Sequence, residues 1–98
     1  MSIKKVHIFI SGRVQGVSYR WWFQNESRKR NLRGWVRNMK SNKVEAEIEG
    51  EKKQVDEMIK ISKKGPALAD VENITIDLIN SLSNVDSNIK EVKILESI

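Results

Sequence analysis

The chain reads as an α+β sandwich of order βαββαβ with an extra short strand, in which two helices pack on one face of an antiparallel sheet. Three features lead there. Apolar residues alternate with polar ones in a run at the start of the chain, the mark of a half-buried strand. A helical stripe of Val55, Met58, Ile59 and Ser62 comes after the middle strands. Turn signals, namely Gly12 with Gly16, Asn42, and Gly65-Pro66, separate the segments.

Val6-His7-Ile8-Phe9-Ile10 sets the first strand, over residues 4–11. A loop over 12–19 leads into a stretch from Tyr19 to Arg33 with no Gly or Pro, which predicts a helix over 20–31. Strands over 34–40 and 43–50 are joined by Lys40-Ser41-Asn42-Lys43, where Asn42 tolerates the left-handed backbone of a tight hairpin. Glu45, Glu47 and Glu49 alternate along the second of these and are expected to form its solvated face, not a metal cluster. The second helix, over 52–63, stops at Gly65-Pro66, as expected just past a helix C-terminus. A strand over 70–80 and a weaker one near 90–95 complete the list, with the polar run Ser81 to Asn88 as a surface loop between them.

A chain of 98 residues predicts a single domain over residues 1–98, one that buries roughly 60–68% of its unfolded surface. Hydrophobic residues at 39% and charged residues at 32% fit a soluble globular protein. No apolar run approaches the length of a membrane span. Met1-Ser2-Ile3-Lys4-Lys5 carries no signal-peptide pattern, so a cytoplasmic location is expected. Cysteine is absent, which removes disulfides, thiolate metal sites and cysteine nucleophiles together. The single histidine, His7, would have to carry any Ser-His-Asp triad; within a strand it is expected to be structural or exposed. Neither a metal nor an organic cofactor is expected. The net charge of +5 favours encounter with anions, nucleic acid included. Its densest cluster, Arg28-Lys29-Arg30 with Arg33, reads as a solvated helix face.

Residues 12–20, Gly-Arg-Val-Gln-Gly-Val-Ser-Tyr-Arg, are where chemistry is expected. They lie on a strand-to-helix turn, which can aim several backbone N–H groups at one point beside the positive end of a helix dipole. Gly16 lets the chain fold closely over an anion, and Arg20 offers a planar fork of donors that matches phosphate oxygens. The segment therefore reads as a small anion cradle suited to phosphate. The same glycines also serve a plain turn, and the same arginines a solvated surface. A Walker-type Gly-Lys-Ser/Thr and the G-x-G-x-x-G spacing are both missing, which argues against nucleotide binding here.

Gly12-Arg13-Val14-Gln15-Gly16-Val17-Ser18-Tyr19-Arg20 resembles the first signature of the acylphosphatase family, and Gly34-Trp35-Val36-Arg37-Asn38 resembles the second. Val44-Glu45-Ala46, Gly50 and the run Lys63 to Val71 are similar to its later blocks, so the resemblance spans roughly residues 4 to 80. It implies a ferredoxin-like fold and hydrolysis of acyl phosphates without metal or cofactor. It also implies roles. Arg20 would bind the phosphoryl group together with backbone N–H groups of Gln15, Gly16, Val17, Ser18 and Tyr19. Asn38 would orient the attacking water, and the proton would leave by way of the substrate phosphate.

Elementary chemistry suits that division. An acyl phosphate is a mixed anhydride, already activated, so positioning and charge stabilisation can carry the rate. An Asn side chain can hold a water but cannot readily deprotonate it; near a strand end it is equally at home as a turn residue. Arg13 and Arg37 are expected to add field without touching substrate. Trp21, Trp22 and Trp35 are expected to pack in the core in preference to lining an acyl pocket. Tyr19 stands where the family commonly has Phe. Ser27 and Arg30 fall where small or aliphatic residues are usual, and Asn31 where Gly is typical. The expected partner is a small acyl phosphate, with no membrane and no nucleic acid, and the chain is expected to be monomeric. An RNA-binding module is the competing reading, but Val44 to Ile48 lacks the alternating aromatics of an RNP1 strand. A third reading, the carbamoyl-phosphate-handling domain of a larger enzyme, is set against the expectation of a free-standing protein.

Overall fold

In a computed structural model that describes residues 2–98, the elements are β1 (Ile3–Arg13), α1 (Tyr19–Lys29), β2 (Arg33–Met39), β3 (Lys43–Glu51), α2 (Lys52–Ser62), β4 (Asp70–Leu78) and β5 (Val92–Ile94). The sheet runs β4-β1-β3-β2-β5. The predicted order of elements stands, with both helices on one face. The all-antiparallel expectation needs one correction. β1, β3, β2 and β4 pair antiparallel, but β5 pairs parallel with β2, Gly34 facing Val92 and Val36 facing Ile94. Parallel partners need a long connection, and the chain after β4 crosses to the opposite edge before β5 begins.

The core lies between the sheet and the helices. Val6, Ile8 and Ile10 of β1, Val36 of β2 and Val44, Ala46 and Ile48 of β3 meet Phe23 of α1 and Val55 and Met58 of α2 in one cluster. Alternation explains which residues enter it, since successive strand side chains point to opposite faces. Residues 12 and 13, predicted as loop, extend β1 through a register shift after Ser11. Gly12 permits this. It sits at φ +124, and a Cβ there would collide with the Asp70 carbonyl of β4. The hairpin between β2 and β3 places both Ser41 and Asn42 at positive φ.

α1 ends as the Asn31 substitution suggests. Asn31 adopts φ 57, its N–H donates to the Arg28 carbonyl, and the Leu32 N–H donates to the Ser27 carbonyl. That pair of bonds is the Schellman arrangement, normally built on Gly. Arg30 folds back on Glu26, donating to both its carbonyl and its carboxylate at 2.9 Å. Ser27 is fully buried, and its Oγ has no hydrogen-bond partner.

The expected solvated stripe of glutamates is covered instead. Glu45 and Glu47 are only 8% and 7% exposed. Glu45 meets His7 Nε2 at 2.7 Å and accepts from Arg37 Nε at 2.9 Å. Glu47 accepts from Trp35 Nε1 and from the backbone N–H and hydroxyl of Ser83. Glu49 pairs with Arg33. The segment after β4 passes over this helix-free face, so alternation predicted the face correctly while long-range contacts supplied its cover. Trp35 lies here too, fully buried, with the Arg37 guanidinium 4.9 Å over its ring.

Candidate functional site

β1 and β2 both pair antiparallel with β3, so they run in the same direction and their C-terminal ends lie at the same end of the sheet. The loop 14–18 leaves β1 at that end, and Asn38 stands near the end of β2. Two residues beyond the core residue Val36, Asn38 points to the helix side. A cavity of about 450 Å³ opens there, lined by Val14, Gln15, Gly16, Ser18, Tyr19, Arg20, Trp21, Asn38 and Ile94. Arg20 and Asn38, far apart in sequence, thus share one cavity with the loop.

Each member is positioned by a local cause. Gly16 adopts φ +72 with no atom within 4 Å of where a Cβ would stand, so its backbone conformation, not crowding, calls for glycine. Val17 is the one expected cradle residue that does not line the cavity; its side chain packs against the core. Ser18 precedes α1 at φ 63 and makes no side-chain cap. Helix starts leave their first N–H groups without intrahelical acceptors. Among the described residues, the N–H groups of Gln15 to Ser18 likewise have no backbone acceptor. The cavity wall therefore holds a concentration of uncommitted donors.

Gln15 contributes more than backbone. Its Nε2 donates to the Met39 carbonyl at 2.6 Å and to the Lys43 carbonyl at 2.9 Å, which ties the loop to the hairpin that carries Asn38. No sequence signal separated this side-chain role from the loop's backbone. Tyr19 sends its hydroxyl inward, where it donates to the Ser62 carbonyl at 2.6 Å and links α1 to α2. Burial of that ring pushes the phenol well above the ordinary tyrosine range.

Arg20 makes no ion pair or side-chain hydrogen bond among the described residues. It also stands in the first turn of α1, where no acidic residue balances it. A cation at the positive end of a helix costs about 0.3–1 kcal/mol, a cost that an anion in the cavity removes. Asn38 Oδ1 is buried with no hydrogen-bond partner. Chemically, the cavity offers a fork of charged donors, a row of N–H groups and one amide whose acceptor is uncommitted. Arg37 is remote from it, paired with Glu45 on the other face, and Arg13 is exposed beside a neighbouring cleft. Among the described residues, no group of three or more His, Asp or Glu side chains could hold a metal ion.

A family model described as Acylphosphatase matches residues 6–94. The chain belongs to the acylphosphatase family. An acylphosphatase of Alcanivorax borkumensis is 49% identical over 71 residues, 72% of this chain and 77% of its own. One from Chlorobaculum tepidum is 39% identical over 95 residues, 97% of this chain and 99% of its own. The crystal structure of acylphosphatase from Bacillus subtilis superposes with a TM-score of 0.84 at 30% identity, covering 96% of this chain and 99% of that one. The acylphosphatase match includes both signature segments and extends beyond them into β5. No helix among the described residues is long and apolar enough to cross a membrane.

Proposed function

We propose that this member of the acylphosphatase family hydrolyses the carboxyl–phosphate bond of acyl phosphates through Arg20, Asn38 and the loop backbone, with no metal ion. The reading is carried by one observation: unpaired Arg20 and the unpartnered Asn38 amide oxygen line a single cavity with the loop whose N–H groups are free. The Arg20 guanidinium and the N–H groups of Gln15 to Tyr19 hold the phosphoryl oxygens. Asn38 fixes a water on the phosphorus. The water oxygen bonds to phosphorus as the bond from phosphorus to the acyl oxygen breaks, and the electron pair departs on the carboxylate. The water's proton passes to a phosphoryl oxygen, so the products are a carboxylate and inorganic phosphate. A carboxylate is a good leaving group and needs no general acid, which suits a cavity that contains no histidine.

Kinetics of variants on benzoyl phosphate in excess EDTA test each role. Arg20→Lys keeps the charge and loses the fork; with charge-assisted bonds contributing about 1.5–3 kcal/mol each, kcat/KM should fall on the order of 10² to 10⁴. Asn38→Ala, once shown to be folded by thermal unfolding, should lose roughly 10² in kcat while inorganic phosphate still inhibits near its normal concentration. Wild-type kinetics in Arg20→Lys would remove Arg20 from the phosphate site. An Asn38→Ala enzyme that keeps kcat but loses phosphate affinity would exchange the two roles. Loss of wild-type activity in EDTA, restored by Mg²⁺, would overturn the metal-free reaction.

A further inference from the structure

The three tryptophans divide in the structure, although the sequence expects core packing for all of them. Trp35 is sealed under Arg37 on the helix-free face, and Trp22 packs against the core beside Tyr19. Trp21 does neither. It is 65% exposed in the first turn of α1, immediately after Arg20, and lines the cavity that Arg20 and Asn38 line. Among the described residues no aromatic ring or cation sits against its indole. Ile94 of β5, 39% exposed, is a second apolar side chain on the same cavity.

We propose that Trp21, with Ile94 beside it, is the platform against which the acyl group of the substrate packs. This rests on reading the cavity as the acyl phosphate site. In such a substrate the acyl carbon is joined to phosphorus through a single oxygen. An acyl group therefore lies against whatever flanks the phosphoryl cradle. Arg20, Asn38 and the loop N–H groups are taken up by the phosphoryl group and the water, and the side chains of Gln15 and Tyr19 are committed to backbone carbonyls; Trp21 and Ile94 are apolar and exposed to the cavity. The volume of about 450 Å³ falls within the roughly 300–1,000 Å³ of pockets that hold drug-sized ligands, far more than phosphate with a two-carbon chain requires. An indole face offers an aromatic acyl group offset or edge-to-face stacking in addition to area burial.

The test compares kcat/KM for benzoyl and acetyl phosphate in the wild-type enzyme, Trp21→Ala and Trp21→Phe. The benzoyl-to-acetyl ratio should fall about ten-fold in Trp21→Ala, chiefly through KM, and recover for the most part in Trp21→Phe. Inorganic phosphate, which has no acyl group, should inhibit Trp21→Ala as it does the parent. Acrylamide quenching gives a reading independent of turnover: benzylphosphonate should shield the most accessible indole, and inorganic phosphate should not. A ratio within two-fold of wild type in Trp21→Ala overturns the platform while leaving the acyl phosphate reading intact. Failure of the wild-type enzyme to hydrolyse either substrate overturns both together.

Discussion

Replacing Ser27 by alanine should stabilise this protein. The hydroxyl is fully buried between α1 and the sheet, and its Oγ has no partner. A buried polar group left unsatisfied costs about 1–3 kcal/mol. Alanine also exceeds serine in helix propensity, by up to about 0.7 kcal/mol. Two effects act the other way. The oxygen's packing contacts are lost, and rotation of the hydroxyl onto the carbonyl one turn earlier would already relieve part of the penalty. A net gain of about 1–2 kcal/mol follows, which for a domain of this size raises Tm by roughly 5–15 °C. Urea unfolding is the assay, with Cm expected to rise at constant m. Ser62 is the control. It is equally buried, but its Oγ donates to the Met58 carbonyl at 2.6 Å, so Ser62→Ala removes a bond and should not stabilise. A Cm for Ser27→Ala that stays level or falls, with m unchanged, would refute the reasoning.

The lone tyrosine gives a direct optical readout. Tyr19 is held neutral by burial, so as pH rises past its ordinary value near 10 the unfolded chain loses this proton before the native one does. Stability then falls with rising pH, and absorbance at 295 nm should change only together with unfolding; ionisation of a still-folded protein near pH 10 would contradict the burial. Glu47→Ala should destabilise by about 2–3 kcal/mol, because it strands the buried Trp35 N–H as well as the Ser83 N–H, and Glu47→Gln, which keeps an acceptor, should cost less. A urea series in which the two variants match would show that the hydrogen bonds are not the cause.

Periodicity and turn chemistry are local signals, and what they can carry was legible along the chain. Alternation in Val6–Ile10 set the inward face of β1, the stripe from Val55 to Ser62 set the buried side of α2, and Asn31 was readable as a helix end because few residues tolerate its backbone angle. The motif segments also singled out Arg20, Asn38 and the loop, which the structure brings to one cavity. Other properties depend on which distant segment lies opposite. Glu45 and Glu47 alternate as a solvated stripe does, yet Arg37, His7 and Ser83 cover them. Trp21, Trp22 and Trp35 are one residue type with three different environments, because exposure is set by what packs above a side chain. Gln15 holds carbonyls more than twenty positions away, and β5 finds a parallel partner across the sheet. Local sequence fixes backbone angles and the face a side chain points to; only the closed fold decides what that face meets.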